Sequence, residues 1–213
     1  MKEGEALADL KSLIERKVAE GFDSPGQIEA DVHDVAADEY PDLKADTQIK
    51  LGLAEALKTA LEAERTWPAV TDCDRLDRAF ALLEARGVVA RQNFACCQTC
   101  GHAEIGEEIE AARKIAPVIG YVFFHMQDTE SAADGGGLYL AYGPVGDTSE
   151  VQVGKQIQGA LREVGLHPQW NGEATQRIHV PMSWQKRRGV PAAPIGTSQT
   201  PRASNPWWQF WKN

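Results

Sequence analysis

The sequence predicts an α+β fold: a helical N-terminal region packed on a mostly antiparallel sheet of four to five strands, with helices on one face. Three observations lead there. Apolar residues recur at helical spacing through the first third of the chain, as in Leu7, Leu10, Ile14 and Val18. The run "IGYVFFHM", 119–126, is β-branched and aromatic almost without a break, as a central strand is. Short strand-like and helix-like stretches then alternate from Thr71 to Val180.

Taken in order, the first helix carries that Leu7–Val18 stripe and stops near Gly21. Ser24 as N-cap, Pro25 at the first helical position and Gln27 three after the cap open a second helix, with Ile28, Val32 and Val35 inward. "YPD" at 40–42 ends it, and Asp46 caps a third helix with Ile49, Leu53, Leu57 and Leu61 inward. Three short amphipathic helices each need a partner surface, so they are expected to pack on one another or on the α+β region.

Trp67-Pro68 reads as a hinge, and Thr71 with Asp74 opens a fourth helix with Leu76, Phe80 and Leu83 inward. Gly87 supplies the left-handed residue that closes it. Strands are expected at 88–94, 119–126 and 138–143, and helices at 103–114 and 149–164, the last with Val153, Ile157, Leu161 and Val164 inward. "DTESAADGGG" reads as one helical turn or a loop, its glycines making a turn, not a phosphate cradle. "HPQW" and "RIHV" read as closing strands around Asn171-Gly172. The chain therefore divides into a helical region 1–66, an α+β domain 67–182 and a flexible, basic, Trp-rich tail 183–213.

Charge is uneven. The net charge is -9, which opposes binding of the whole protein to nucleic acid. Residues 1–66 hold 16 acids against 8 bases, whereas no acid follows Glu173 and six bases do. No apolar run reaches the ~20 residues of a membrane span, and the amphipathic, acidic start is not a signal peptide. The cytoplasm is the expected compartment, where thiols stay reduced.

That compartment frames "RQNFACCQTCGHAEI", 91–105, which holds three of the four cysteines. Cys97-x-x-Cys100 has the spacing of half a zinc knuckle, with His102 as a third ligand and Cys96 or Cys73 as a further one. The same pair at a strand–helix junction suits dithiol redox work, Cys97 as nucleophile and Cys100 as resolving thiol. A hydrolytic cysteine needs a nearby histidine base, and none of the five histidines is singled out. The plainest alternative is that the thiols are small buried hydrophobes, Cys73 above all. His125, Asp128, Glu130 and Asp134 could ligate a metal or move protons, but a solvated loop is the simpler reading. In the tail, Trp207, Trp208, Phe210 and Trp211 would dock a protein partner or an anionic membrane surface.

The stretches 71–105, "GYVFFHMQDTESAADGGGLYLAYG" and "RIHV" resemble an uncharacterised bacterial family of the actinobacterial type, a domain of unknown function, from about Ile14 to Arg188. The resemblance implies one folded unit and brings no reaction with it. The residues themselves point to a cytoplasmic regulatory or interaction module with a Cys/His segment suited to zinc. A thiol-dependent redox protein and a tail-docking binding module are the alternatives.

Overall fold

A computed structural model describes residues 3–188. The tail residues Trp207, Trp208, Phe210 and Trp211 lie outside the described residues. The chain forms two compact units, one of residues up to Trp67 with the segment from Lys186, the other Pro68–Gln185.

The first unit is built from α1 (Glu3–Glu20), α2 (Pro25–Glu39) and α3 (Asp46–Glu64). Their stripes meet in one core of Leu10, Leu13, Ile14, Val18, Ile28, Val32, Ile49 and Leu53. Ser24 Oγ accepts from the Gln27 amide at 3.2 Å and Pro25 occupies the first turn, as the sequence suggests. Two details differ. Ala45 is the N-cap of α3 and makes no side-chain cap, so Asp46 is a first-turn acid and not the cap. Leu61 is 48% exposed, because the stripe that meets the core runs through Ile49, Leu53, Ala56 and Ala60 and leaves Leu61 one position off it. Arg188 ties the returning chain to this unit, donating to the carbonyls of Val18 (2.8 Å) and Asp23 while its own amide donates to Glu64 (2.8 Å).

The second unit runs α4 (Asp72–Ala85), β1 (Val88–Arg91), α5 (Gln98–Arg113), β2 (Gly120–Phe123), α6 (Met126–Ala133), β3 (Leu138–Pro144), α7 (Glu150–Glu163) and β4 (Ile178–Val180). The four strands lie in the order β1-β2-β3-β4. β1 and β2 pair in parallel through the α5 crossover, and the other two pairings are antiparallel. The fold is α+β with a mixed sheet. Thr71 and Asp74 form a reciprocal capping box at α4, and Ser149 and Gln152 form another at α7. Gly87, at φ +79°, turns the chain from α4 into β1.

The pleat sends Val88, Ala90, Val122, Leu140 and Ile178 to one face and Val89, Phe123, Ala141 and Tyr139 to the other. The sequence reading put helices on one face. In the structure α5 packs Ile105 against Val89 and Phe123, so it covers the β1–β2 half of the second face. "HPQW" makes a single bridge, Gln169 to His179, in place of a strand. β1 stops at Arg91, not Phe94, because Asn93 and Ala95 adopt positive φ of 49° and 59°. No helix among the described residues is long and apolar enough to cross a membrane.

Candidate metal centre

The parallel pair β1–β2 sets the site. Both strands run out at the same edge of the sheet, and the helices after them, α5 and α6, start there. The β1–α5 loop is held by its neighbours. Phe94 N donates to Phe124 O (2.8 Å) and Met126 N to Ala95 O (3.1 Å). Thr129 Oγ1 donates to Asn93 Oδ1 (2.7 Å). A left-handed alanine costs about 1–2 kcal/mol, and these bonds offset it. The loop thereby delivers Cys96 and Cys97 to the start of α5.

Cys97 is the N-cap of α5, with an extended backbone, and Cys100 is the third helical residue. Cap and third residue face each other for the same reason that a capping box closes. Cys96 precedes the cap. The Sγ atoms of Cys96, Cys97 and Cys100 consequently lie within 4.8 Å of one another, all three residues half-buried. Sulfurs around a tetrahedral zinc, with bonds of about 2.3 Å, sit roughly 3.8 Å apart. The three need to draw in by about an ångström at most.

The thiols are not equivalent. The Cys97 thiol is lowered, first by the Cys100 backbone amide and against the effect of burial, although no full side-chain cap bond forms. Cys96 is pushed up to about 12, by burial first and then by hydrogen bonds with its two neighbours. At Cys100 the Cys96 thiol pulls downward, but burial, Cys97 and the acid Glu104 together leave it raised. Cys97 is therefore the sulfur that ionises first.

His102 and Cys73 are elsewhere. Two residues on a helix turn through about 200°, so His102 points away from Cys100. Its ring packs edge-on to Phe123 (5.1 Å between centroids), and Nδ1 lies 3.1 Å from the Tyr121 hydroxyl. Burial, and then the charge of Arg177, lower its pKa. Cys73 is buried in α4, its sulfur 3.3 Å from the Gln185 amide. Among the described residues neither belongs to the sulfur group.

The β2–α6 junction holds a second set of polar groups that the sequence reading treated as a loop. His125 caps α6, accepting the Asp128 amide at Nδ1 (3.3 Å), while Asp128 Oδ2 accepts the His125 amide (3.1 Å). Nε2 of the same ring is 3.0 Å from Asp128 Oδ2, which places its proton on Nε2. Arg177 Nη2 donates to Asp128 Oδ2 and to Tyr139 O (2.6 Å). Burial pushes the Asp128 carboxyl upward, but His125 and Arg177 outweigh it and hold it below the usual 3.8. Sequence reasoning missed Arg177, which stands 49 residues away from its partner. The hydrogen bonds point inward to the cap, so this network fastens Arg177, the residue that leads into β4, to α6 and β3.

An α+β unit with three mutually close thiols at the ends of a parallel strand pair defines the class: a small mixed-sheet protein with a sulfur-rich centre. The chain belongs to the DUF6891 family, a domain of unknown function, whose model matches residues 3–188. No curated protein and no solved structure matches it.

Proposed function

We propose that this chain is a regulatory or interaction module whose working part is a thiolate-bound metal centre, with Cys96, Cys97 and Cys100 as ligands and zinc as the ion. The observation that carries the proposal is the approach of the three Sγ atoms to within 4.8 Å. Thiolate sulfur suits zinc, and a ligand set already gathered by the fold loses less freedom on binding. Cys97 would be the first of the three to ionise, and Cys100 and Cys96 would release their protons to solvent on becoming ligands, so affinity would rise with pH. A reducing compartment, which we propose to be the cytoplasm, keeps the thiols available. The interaction half of the proposal rests on Trp207, Trp208, Phe210 and Trp211, which could dock a protein partner or an anionic membrane.

One zinc per chain is expected from elemental analysis of protein purified under reduction. Cys100→Ser should lower both zinc content and melting temperature, since binding energy is part of folding energy. Metal-free protein whose melting temperature does not respond to added zinc or to chelator overturns the proposal.

The opposite shifts of Cys97 and Cys100 favour one further reading, dithiol redox chemistry. In that case Cys97 is the attacking thiolate and Cys100 the resolving thiol.

A further inference from the structure

We propose that the centre formed by Cys96, Cys97 and Cys100 takes trivalent arsenic, offered as arsenous acid, through all three sulfurs, and holds it against zinc. This rests on reading the three thiols as one ligand set. Donor number is the first argument. The group contains three sulfurs, and among the described residues no histidine or carboxylate completes it. His102 is turned to Tyr121 on the far side of α5, and Cys73 is in α4. A closed structural zinc site needs four ligands. Trivalent arsenic is complete at three, its lone pair occupying the fourth direction. It is also strongly thiophilic, as soft sulfur donors require.

Charge is the second argument. Zinc with three thiolates carries a net negative charge, and an acid, Glu104, already bears on Cys100. Arsenous acid instead condenses with neutral thiols: As(OH)3 + 3 RSH gives As(SR)3 + 3 H2O. Three As–O and three S–H bonds break, and three As–S and three O–H bonds form. Arsenic stays trivalent, no electron is exchanged and the product is neutral. A half-buried site tolerates a neutral product better than an anion. Access is the third argument. All three cysteines are partly exposed and the intervening Gln98 and Thr99 are exposed, so a small uncharged acid reaches the sulfurs without opening the fold.

The test is titration of the full-length, reduced protein with sodium arsenite, read by native mass spectrometry and calorimetry. A one-to-one adduct is expected that has gained one arsenic and lost three hydrogens. Cys96→Ser, Cys97→Ser and Cys100→Ser should each weaken binding by about 100-fold or more, because each removes one link of a chelate. Cys73→Ser should leave binding unchanged, and equimolar zinc should not displace the arsenic. Should a variant fail to fold, the hydrogen count of the wild-type adduct still decides. Loss of only two hydrogens overturns the proposal, as does indifference to Cys96→Ser. Zinc binding without arsenite binding overturns it and leaves the zinc reading standing. Binding of neither ion overturns both.

Discussion

Replacing Gly101 by valine is expected to unseat the first turn of α5 and scatter the three thiols. A β-carbon at this position would lie 2.3 Å from Phe123 Cε2 and 2.5 Å from Cζ, where non-bonded carbons rest at about 3.5–4.0 Å. Phe123 cannot retreat. It is fully buried, stacked on Tyr121 (6.3 Å between centroids) and met edge-on by Phe94 (5.8 Å). The helix must lift instead, and Cys100 lifts with it. Even Gly101→Ala should cost about 1–3 kcal/mol as overpacking, and valine more. Gly106, five residues along the same helix, has nothing within 4 Å of the place a β-carbon would take, so Gly106→Ala should gain up to about 1 kcal/mol from helix propensity. Urea unfolding of the pair separates crowding from propensity. Equal stability of the two alanine variants would show that α5 does not sit where Gly101 places it.

Asp128→Ala is expected to cost about 3 kcal/mol, the lower end of the range for breaking one side of a buried ion pair, because the Arg177 left behind is only part-buried. The carboxylate is 5% exposed and receives the His125 amide, the His125 ring and Arg177 through a single oxygen. Its loss removes half of the α6 capping box. It also takes the carboxylate partner from Arg177, which keeps the Tyr139 carbonyl but whose Nε is already buried without a partner among the described residues. The same group sets an acid limb. Its folded pKa lies below the ordinary 3.8, so its stabilisation is complete above that value and disappears as pH falls through the folded pKa. Urea midpoints measured from pH 7 to pH 3 should therefore drop steeply in wild type below about pH 4 and less steeply in Asp128→Asn. An Asp128→Ala protein within about 1 kcal/mol of wild type at pH 7 would contradict the role assigned to the pair.

Elements with local chemistry were legible in the sequence. Thr71 with Asp74, the stripe Leu76–Phe80–Leu83 and Gly87 mark α4 at both ends, and β2 stands out as the apolar centre of the sheet. The start of α5 was not legible, because its cap is a cysteine and its first turn contains Gly101, both weak helix signals. α6 was hidden for a similar reason, since histidine is not a usual N-cap. Within the candidate site, the pairing of Cys97 with Cys100 follows from spacing alone. The closeness of Cys96 depends on the left-handed turn at Ala95, which no residue type announces. His102 looked close because it is close in sequence, yet helical rotation carries it to Tyr121. The Arg177–Asp128 link is made by the return of β4 beside β3, a long-range pairing with no local trace.

That Cys96, Cys97 and Cys100 act together on one metal ion is tested most directly by X-ray absorption at the zinc edge, on reduced protein loaded with one equivalent of zinc. Three sulfur neighbours at about 2.3 Å, with one lighter atom completing the shell, are expected. A shell of nitrogen and oxygen alone, or one with two sulfurs that is unaltered by Cys96→Ser, would contradict a three-thiol centre.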